Sequence, residues 1–394
     1  MRKSLTTLMG IFVCALTAMG AVSRPQVSNL SVSDLHTRIA EARAALQQQP
    51  ISGDFVRLAA LDESADRMVY VPLSKDDFLT KDADLVATAN SGQTLKVHVV
   101  RANGVNTAVS VSSSTGEELV PLLVQYPIVR GGSITEVGYY TSAHPALLSS
   151  GLSTAGQSYV RTMLDAAAAR LAAQGILVPA DIVDVAEHLC IVEHTDHRRF
   201  MTEDQGELLP EIQALYALNE GNTYRYSVSS AGAGGMIQMI PQTYQGIREQ
   251  HAGVSLTTDF VNGMRDHENA LEAMLLYMND TWNGLAANSE VQTAMTNGLA
   301  SKPELLAAGY NSNPRRLPGY LKSGGGEWRT LIPAETQMYL KIYASVDQHL
   351  DIQNRAAASA NPTTTGLAIG AGESLPLLSW LRASLMKSAF SWLR

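Results

Sequence analysis

One glutamate in this chain stands where a carboxylic acid could do chemistry. Glu220 follows a stretch in which Leu208, Ile212, Leu215 and Tyr216 give an apolar helical face, and Pro210 stands near that helix's expected start, where a missing N–H does no harm. Gly221 and Asn222 are helix stoppers, so the helix is expected to end at Glu220. A carboxyl group at the negative end of a helix dipole, partly shielded by neighbours, is in the setting where such a group keeps its proton toward neutral pH and can serve as a general acid. A glycine-rich turn, Gly232-Ala233-Gly234-Gly235, lets the backbone pass close to a ligand or to the first helix, and Gln238, Pro241 and Thr243 follow it.

The register of these residues resembles the soluble lytic transglycosylase family, built on a lysozyme-like fold. The family pattern runs from a Glu, through a Ser nine positions on, to Gly-Ala, then Gly-Leu-Met-Gln, then Pro-x-Thr. Glu220, Ser229, Gly232-Ala233, Gly235-Met236-Ile237-Gln238 and Pro241-Gln242-Thr243 follow it without a gap. The family's Ala-Tyr-Asn-Ala-Gly block is similar to Gly309-Tyr310-Asn311-Ser312-Asn313, and its Leu-Pro-x-Glu-Thr-x-x-Tyr block to Ile332-Pro333-Ala334-Glu335-Thr336-Gln337-Met338-Tyr339. The stretch from Asn269 through Met278 resembles the family's central helix. Two departures stand out: Gly221 replaces the usual Ser after the acid, and Asn311-Ser312-Asn313 replaces Asn-Ala-Gly.

The resemblance implies a peptidoglycan lytic transglycosylase. Glu220 would protonate the oxygen bridging N-acetylmuramic acid and N-acetylglucosamine, then take the proton of the muramic C6 hydroxyl as it closes to a 1,6-anhydro end. Ser229, Met236, Gln238, Tyr310, Asn311 and Glu335 would line the sugar site, the Gln238 amide meeting sugar hydroxyls or an N-acetyl group. No cofactor is implied, and the partner is the glycan strand. Ordinary glycoside hydrolysis uses two carboxylates; Asp266, Glu268 or Glu335 could supply a second, which makes a hydrolytic muramidase the nearest alternative. A non-catalytic wall-binding or scaffold protein on the same fold is another.

A second group of polar residues, Glu187, His188, Cys190, Glu193, His194, Asp196 and His197, contains metal-ligand types, but in no zinc-site spacing. It reads as a polar helix end packed beside the first catalytic helix.

The elements that must position these residues divide the chain. Residues 1–23 read as an export signal, with Arg2 and Lys3 before an apolar run over residues 8–21. The expected location is therefore periplasmic or extracellular, possible membrane association included. Signal removal leaves Cys190 alone, so no internal disulfide is expected. Residues 31–49 read as a helix and residues 50–148 as a small antiparallel β domain. Its clearest hairpin is expected to join Leu95, Val97 and Val99 to Val105, Thr107, Val109 and Val111 across Asn103-Gly104. A helical connector is expected over residues 152–206, an all-α lysozyme-like domain over residues 207–346, and a linker rich in small residues over 356–372. An amphipathic helix over residues 374–394 would rest on a membrane surface or a protein partner, or pack on its own domain. The expected class is α+β. A net charge of −8 without a basic run, and 6% aromatic residues, argue against nucleic acid.

Overall fold

The computed structural model describes residues 27–355. The expected signal, linker and terminal amphipathic helix lie outside the described residues. Helix α1 (Val32–Gln47) is capped by Ser31 and buries Leu35, Ile39, Ala42 and Leu46. An antiparallel sheet follows: β1 (Phe55–Asp62), β2 (Arg67–Ser74), the single turn α2 (Lys75–Phe78), β3 (Asp84–Thr88), β4 (Thr94–Arg101), β5 (Ala108–Ser113), β6 (Glu118–Arg130) and β7 (Ser133–Tyr140). The strand order is β2-β1-β6-β5-β4-β3, with β7 also on β6. The long strand β6 holds the sheet together, pairing with β5 at its start, then with β1, and with β7 toward its end.

The alternation of Leu95, Val97 and Val99 puts those side chains on one buried face, and the β4–β5 register sets Val97 against Val111 and Val99 against Val109. Gly104, at φ +54°, opens a short 3-10 turn between them. Gly131 and Gly132, both at positive φ, turn the chain from β6 into β7.

The helical part comprises α3 (Ser150–Ala173), α4 (Ala180–Val192), α5 (His197–Thr202), α6 (Gln205–Asn219), α7 (Pro241–Gln250), α8 (Phe260–Arg265), α9 (His267–Ala286), α10 (Ser289–Thr296), α11 (Lys302–Asn311), α12 (Leu317–Gly324) and α13 (Ala334–His349). The fold is thus α+β. The alanine-rich α3 buries a stripe from Leu152 through Gly156, Val160, Leu164 and Ala167 to Leu171. A Cβ on Gly156 would stand 1.7 Å from the Gln213 carbonyl, so glycine is what lets α3 and α6 approach there. Asp204 caps α6, and Pro210 lies inside that helix rather than near its start. The α4 helix is buried on nearly every side.

One apolar cluster runs from Val97 and Val109 of the sheet to Leu189, Ile212, Leu276 and Ile342 of the helices. The described residues up to Ile352 therefore form one packed unit. The expected connector is part of this core, because α3 and α4 bury their apolar faces in it. No helix among the described residues is long and apolar enough to cross a membrane.

Candidate functional site

The residues grouped by the sequence motifs gather around a carboxyl group that the motif register passed over. Glu193 is the C-cap of α4, and the apolar run Ile191-Val192 carries it into the helical core. It keeps a little solvent contact, yet burial pushes its carboxyl up to about 8. The Tyr339 hydroxyl donates to Glu193 Oε1 at 2.6 Å and opposes that rise, while the nearby charge of Glu335 adds to it. Glu335 itself is exposed in the first turn of α13.

The glycine turn abuts this carboxyl through its neighbours. His194 Nε2 lies 3.0 Å from the Met236 carbonyl, and the Tyr310 hydroxyl donates to the Ile237 carbonyl at 2.7 Å. A carbonyl accepts only, so His194 carries its proton on Nε2. Burial holds its imidazole down to about 3, and the ring stacks on Tyr224 with centroids 3.3 Å apart. Tyr310 packs edge-on against Tyr277, and its phenol is raised well above the ordinary range by burial and by Glu193. Asn311 accepts a hydrogen bond from Thr336, which ties the end of α11 to the start of α13. Three elements, α4, α11 and α13, thus converge on one acid.

The turn is held from behind. Gly235 has φ +68°, and a Cβ there would lie 2.2 Å from the Met264 carbonyl. Gln238, also at positive φ, donates its amide to the Gly235 carbonyl and to Ser227. The NH2 group is thus engaged in holding the loop, while the amide oxygen is the group that could accept from a sugar hydroxyl. Met236, expected in the sugar site, is fully buried, and its carbonyl faces His194. Ser229 is exposed and accepts from the Ala233 amide, closing the loop before the turn.

Glu220 stands elsewhere. It follows α6 with φ +45° and ψ −124°, and its side chain is 55% exposed, with His36 Nδ1 of α1 at 4.0 Å. The expected shielding is corrected: the helix ends on the surface beside α1, and no apolar wall covers the carboxylate. His36 is held by a hydrogen bond from Nε2 to the Ala217 carbonyl. Behind Glu220, His267 Nε2 faces the Thr223 carbonyl and Nδ1 faces the Tyr159 hydroxyl, both at 2.9 Å. The carbonyl takes the Nε2 proton, so Tyr159 donates to Nδ1, and burial keeps the imidazole neutral by lowering it to about 4.

The other carboxylates have structural work. Asp266 caps α9, and Glu268 pairs with Arg170. Glu187 pairs with Arg161, His188 bonds the Asp184 carbonyl, the Cys190 carbonyl receives the Tyr216 hydroxyl, and Asp196 caps α5. Among the described residues no three such side chains converge as a metal site needs.

A cavity of about 1340 Å³ opens between the sheet and the helices. His194, Gly234 and Gly235 line it, so it adjoins the residue after Glu193 and the start of the glycine turn; neither Glu193 nor Glu220 lines it. Compared with known protein families, curated proteins and solved structures, the chain matches none.

Proposed function

We propose that this protein is a peptidoglycan lytic transglycosylase in which Glu193, not Glu220, is the acid and base. The observation that carries the reading is a carboxyl at the buried end of α4, hydrogen-bonded by Tyr339 and raised by burial, whose neighbours His194 and Tyr310 are bonded to the Met236 and Ile237 carbonyls of the glycine turn. The family resemblance suggests the substrate, and the geometry supports Glu193 as the acid. At neutral pH Glu193 holds a proton, as an acid facing a glycosidic oxygen must. It gives that proton to the oxygen between N-acetylmuramic acid and N-acetylglucosamine as the C1–O bond breaks. Left as a carboxylate, it takes the proton of the muramic C6 hydroxyl as that oxygen bonds to C1. One proton is given and one received, no water is consumed, and one carboxyl suffices.

One observation favours a second reading. The charge of Glu335 reaches Glu193, so a second carboxylate is available near the acid, as hydrolysis requires. Digestion of purified sacculi followed by mass analysis separates the two. The proposal expects fragments ending in 1,6-anhydro-muramic acid, lighter by one water than hydrolysed ones. Reducing ends alone would establish the hydrolase instead.

A further inference from the structure

The chain as a whole is acidic, at −8, yet the cavity between sheet and helices concentrates the opposite charge. Seven Lys or Arg side chains line it against three Asp or Glu. Some of these cations are structural. Arg101 and Arg199 are tied to Glu211, and Arg225 and Arg265 to Glu136. Arg130, at the end of β6, and Arg198, in α5, are different: both are exposed at the cavity, and among the described residues neither side chain has an acidic partner. An acidic protein that places two uncompensated guanidinium groups in the lining of one cavity, one from the sheet and one from a helix, has a site suited to an anion, and guanidinium groups match carboxylates in particular.

The position of the cavity narrows the choice. His194 lines it and directly follows Glu193, while Gly234 and Gly235 line it one residue before the Met236 and Ile237 carbonyls that border the acid's surroundings. Glu193 itself does not line the cavity, so a glycan strand held at the acid lies beside it, and only a chain attached to that strand reaches in. At about 1340 Å³ the space exceeds the roughly 300–1,000 Å³ typical of a small-ligand pocket, so it has room for a chain. In peptidoglycan the anionic chain attached beside the scissile bond is the stem peptide on the muramic lactyl group, which carries free carboxylates.

We propose that this cavity binds the carboxylate-bearing stem peptide of the strand under cleavage, with Arg130 and Arg198 as its carboxylate contacts. The inference rests on the proposed cleavage of peptidoglycan, and it makes the enzyme selective for peptide-bearing over naked strands.

The test uses the full chain and the double variant Arg130→Ser/Arg198→Ser; both positions are exposed, so folding is kept. Two substrates are compared: peptide-bearing glycan strands, and the same strands stripped of peptide by an amidase. The double variant is expected to lose about tenfold in kcat/KM on peptide-bearing strands, mostly through KM, the scale of two partly exposed charge contacts. Stripped strands should be cleaved within twofold of wild type. Equal losses on both substrates, or none on either, would overturn the proposal. Free stem tetrapeptide, titrated calorimetrically, is expected to bind wild type and to bind the double variant about tenfold more weakly. If the wild type cleaves neither strand, the proposed function fails, and tetrapeptide binding alone decides the cavity: binding lost in the double variant upholds it, and no binding to wild type refutes it. Preferential binding of inorganic phosphate, lost in the same variant, would refute the carboxylate assignment in favour of a phosphate ligand.

Discussion

Replacing Glu193 by Gln is the most exacting perturbation of this molecule, because it moves activity and stability in ways that can be worked out separately. The amide keeps the shape of the side chain and can still accept from Tyr339, but it cannot give or take the catalytic proton. Loss of a positioned general acid costs on the order of 10²–10⁴ in rate, so lysis of sacculi should fall at least a hundredfold. The stability effect has a definite sign. The folded carboxyl titrates near 8, against 4.5 for the ordinary group, so between those values the folded state holds a proton that the unfolded chain has released. Wild-type stability therefore falls as pH rises through this window and levels off above about 8. At about 1.4 kcal/mol for each pH unit the full effect would be roughly 5 kcal/mol; the solvent contact that Glu193 retains screens this to about 2 kcal/mol. The Gln variant lacks this titration, so it should gain about 2 kcal/mol relative to wild type between pH 5 and pH 9. Urea midpoints across that range measure the difference. The reasoning is refuted if the Gln variant lyses sacculi normally, or if its stability tracks wild type at every pH.

Glu220→Gln should keep lysis within about twofold, since an exposed side chain changed on the surface disturbs little; a dead Glu220 variant beside an active Glu193 variant would reverse the assignment. Two neighbours of Glu193 should shift the alkaline limb of the pH–rate profile in opposite directions. Tyr339→Phe removes the hydrogen bond that favours the carboxylate and should move the limb above pH 8, whereas Glu335→Gln removes a repelling charge and should move it below; coincident profiles would sink the proposed contacts. Gly156→Ala should cost about 3 kcal/mol or more in a denaturant titration, because its Cβ would meet the Gln213 carbonyl. Gly235→Ala should weaken lysis as well as stability, and a variant stable but inactive would identify the turn as a substrate wall.

Much of the frame was readable from local patterns. The β4–β5 hairpin announces itself through Leu95, Val97 and Val99 and the turn at Gly104, and α3 through its alanine content. Strand β3 was missed because Asp84–Thr88 is short and leaves Val86 exposed, so no apolar run marks it. The motif blocks around Gly235, Tyr310 and Tyr339 do meet, through the packing of α4, α11 and α13. Their partner acid was hidden by two facts. Glu193 ends its helix just as Glu220 does, and the whole of α6 intervenes between Glu193 and the turn, so a gapless reading settles on the later glutamate. The signal that could have found it was the apolar weight of α4, with Ile182, Val183, Val185, Ala186, Leu189, Ile191 and Val192 spread around the helix between Asp184, Glu187 and His188: a helix buried on nearly every side delivers whatever closes it to the interior.

The union of sheet and helices has a further consequence. A cut at Ser149 would divide the apolar cluster that Val97 and Val109 of the sheet share with Val160, Leu164 and Ile212 of the helices. Neither half is a portable module, and heat should melt both together in a single cooperative step. Any motion that widens the cavity should then come from loops at its rim rather than from the sheet swinging away as a body.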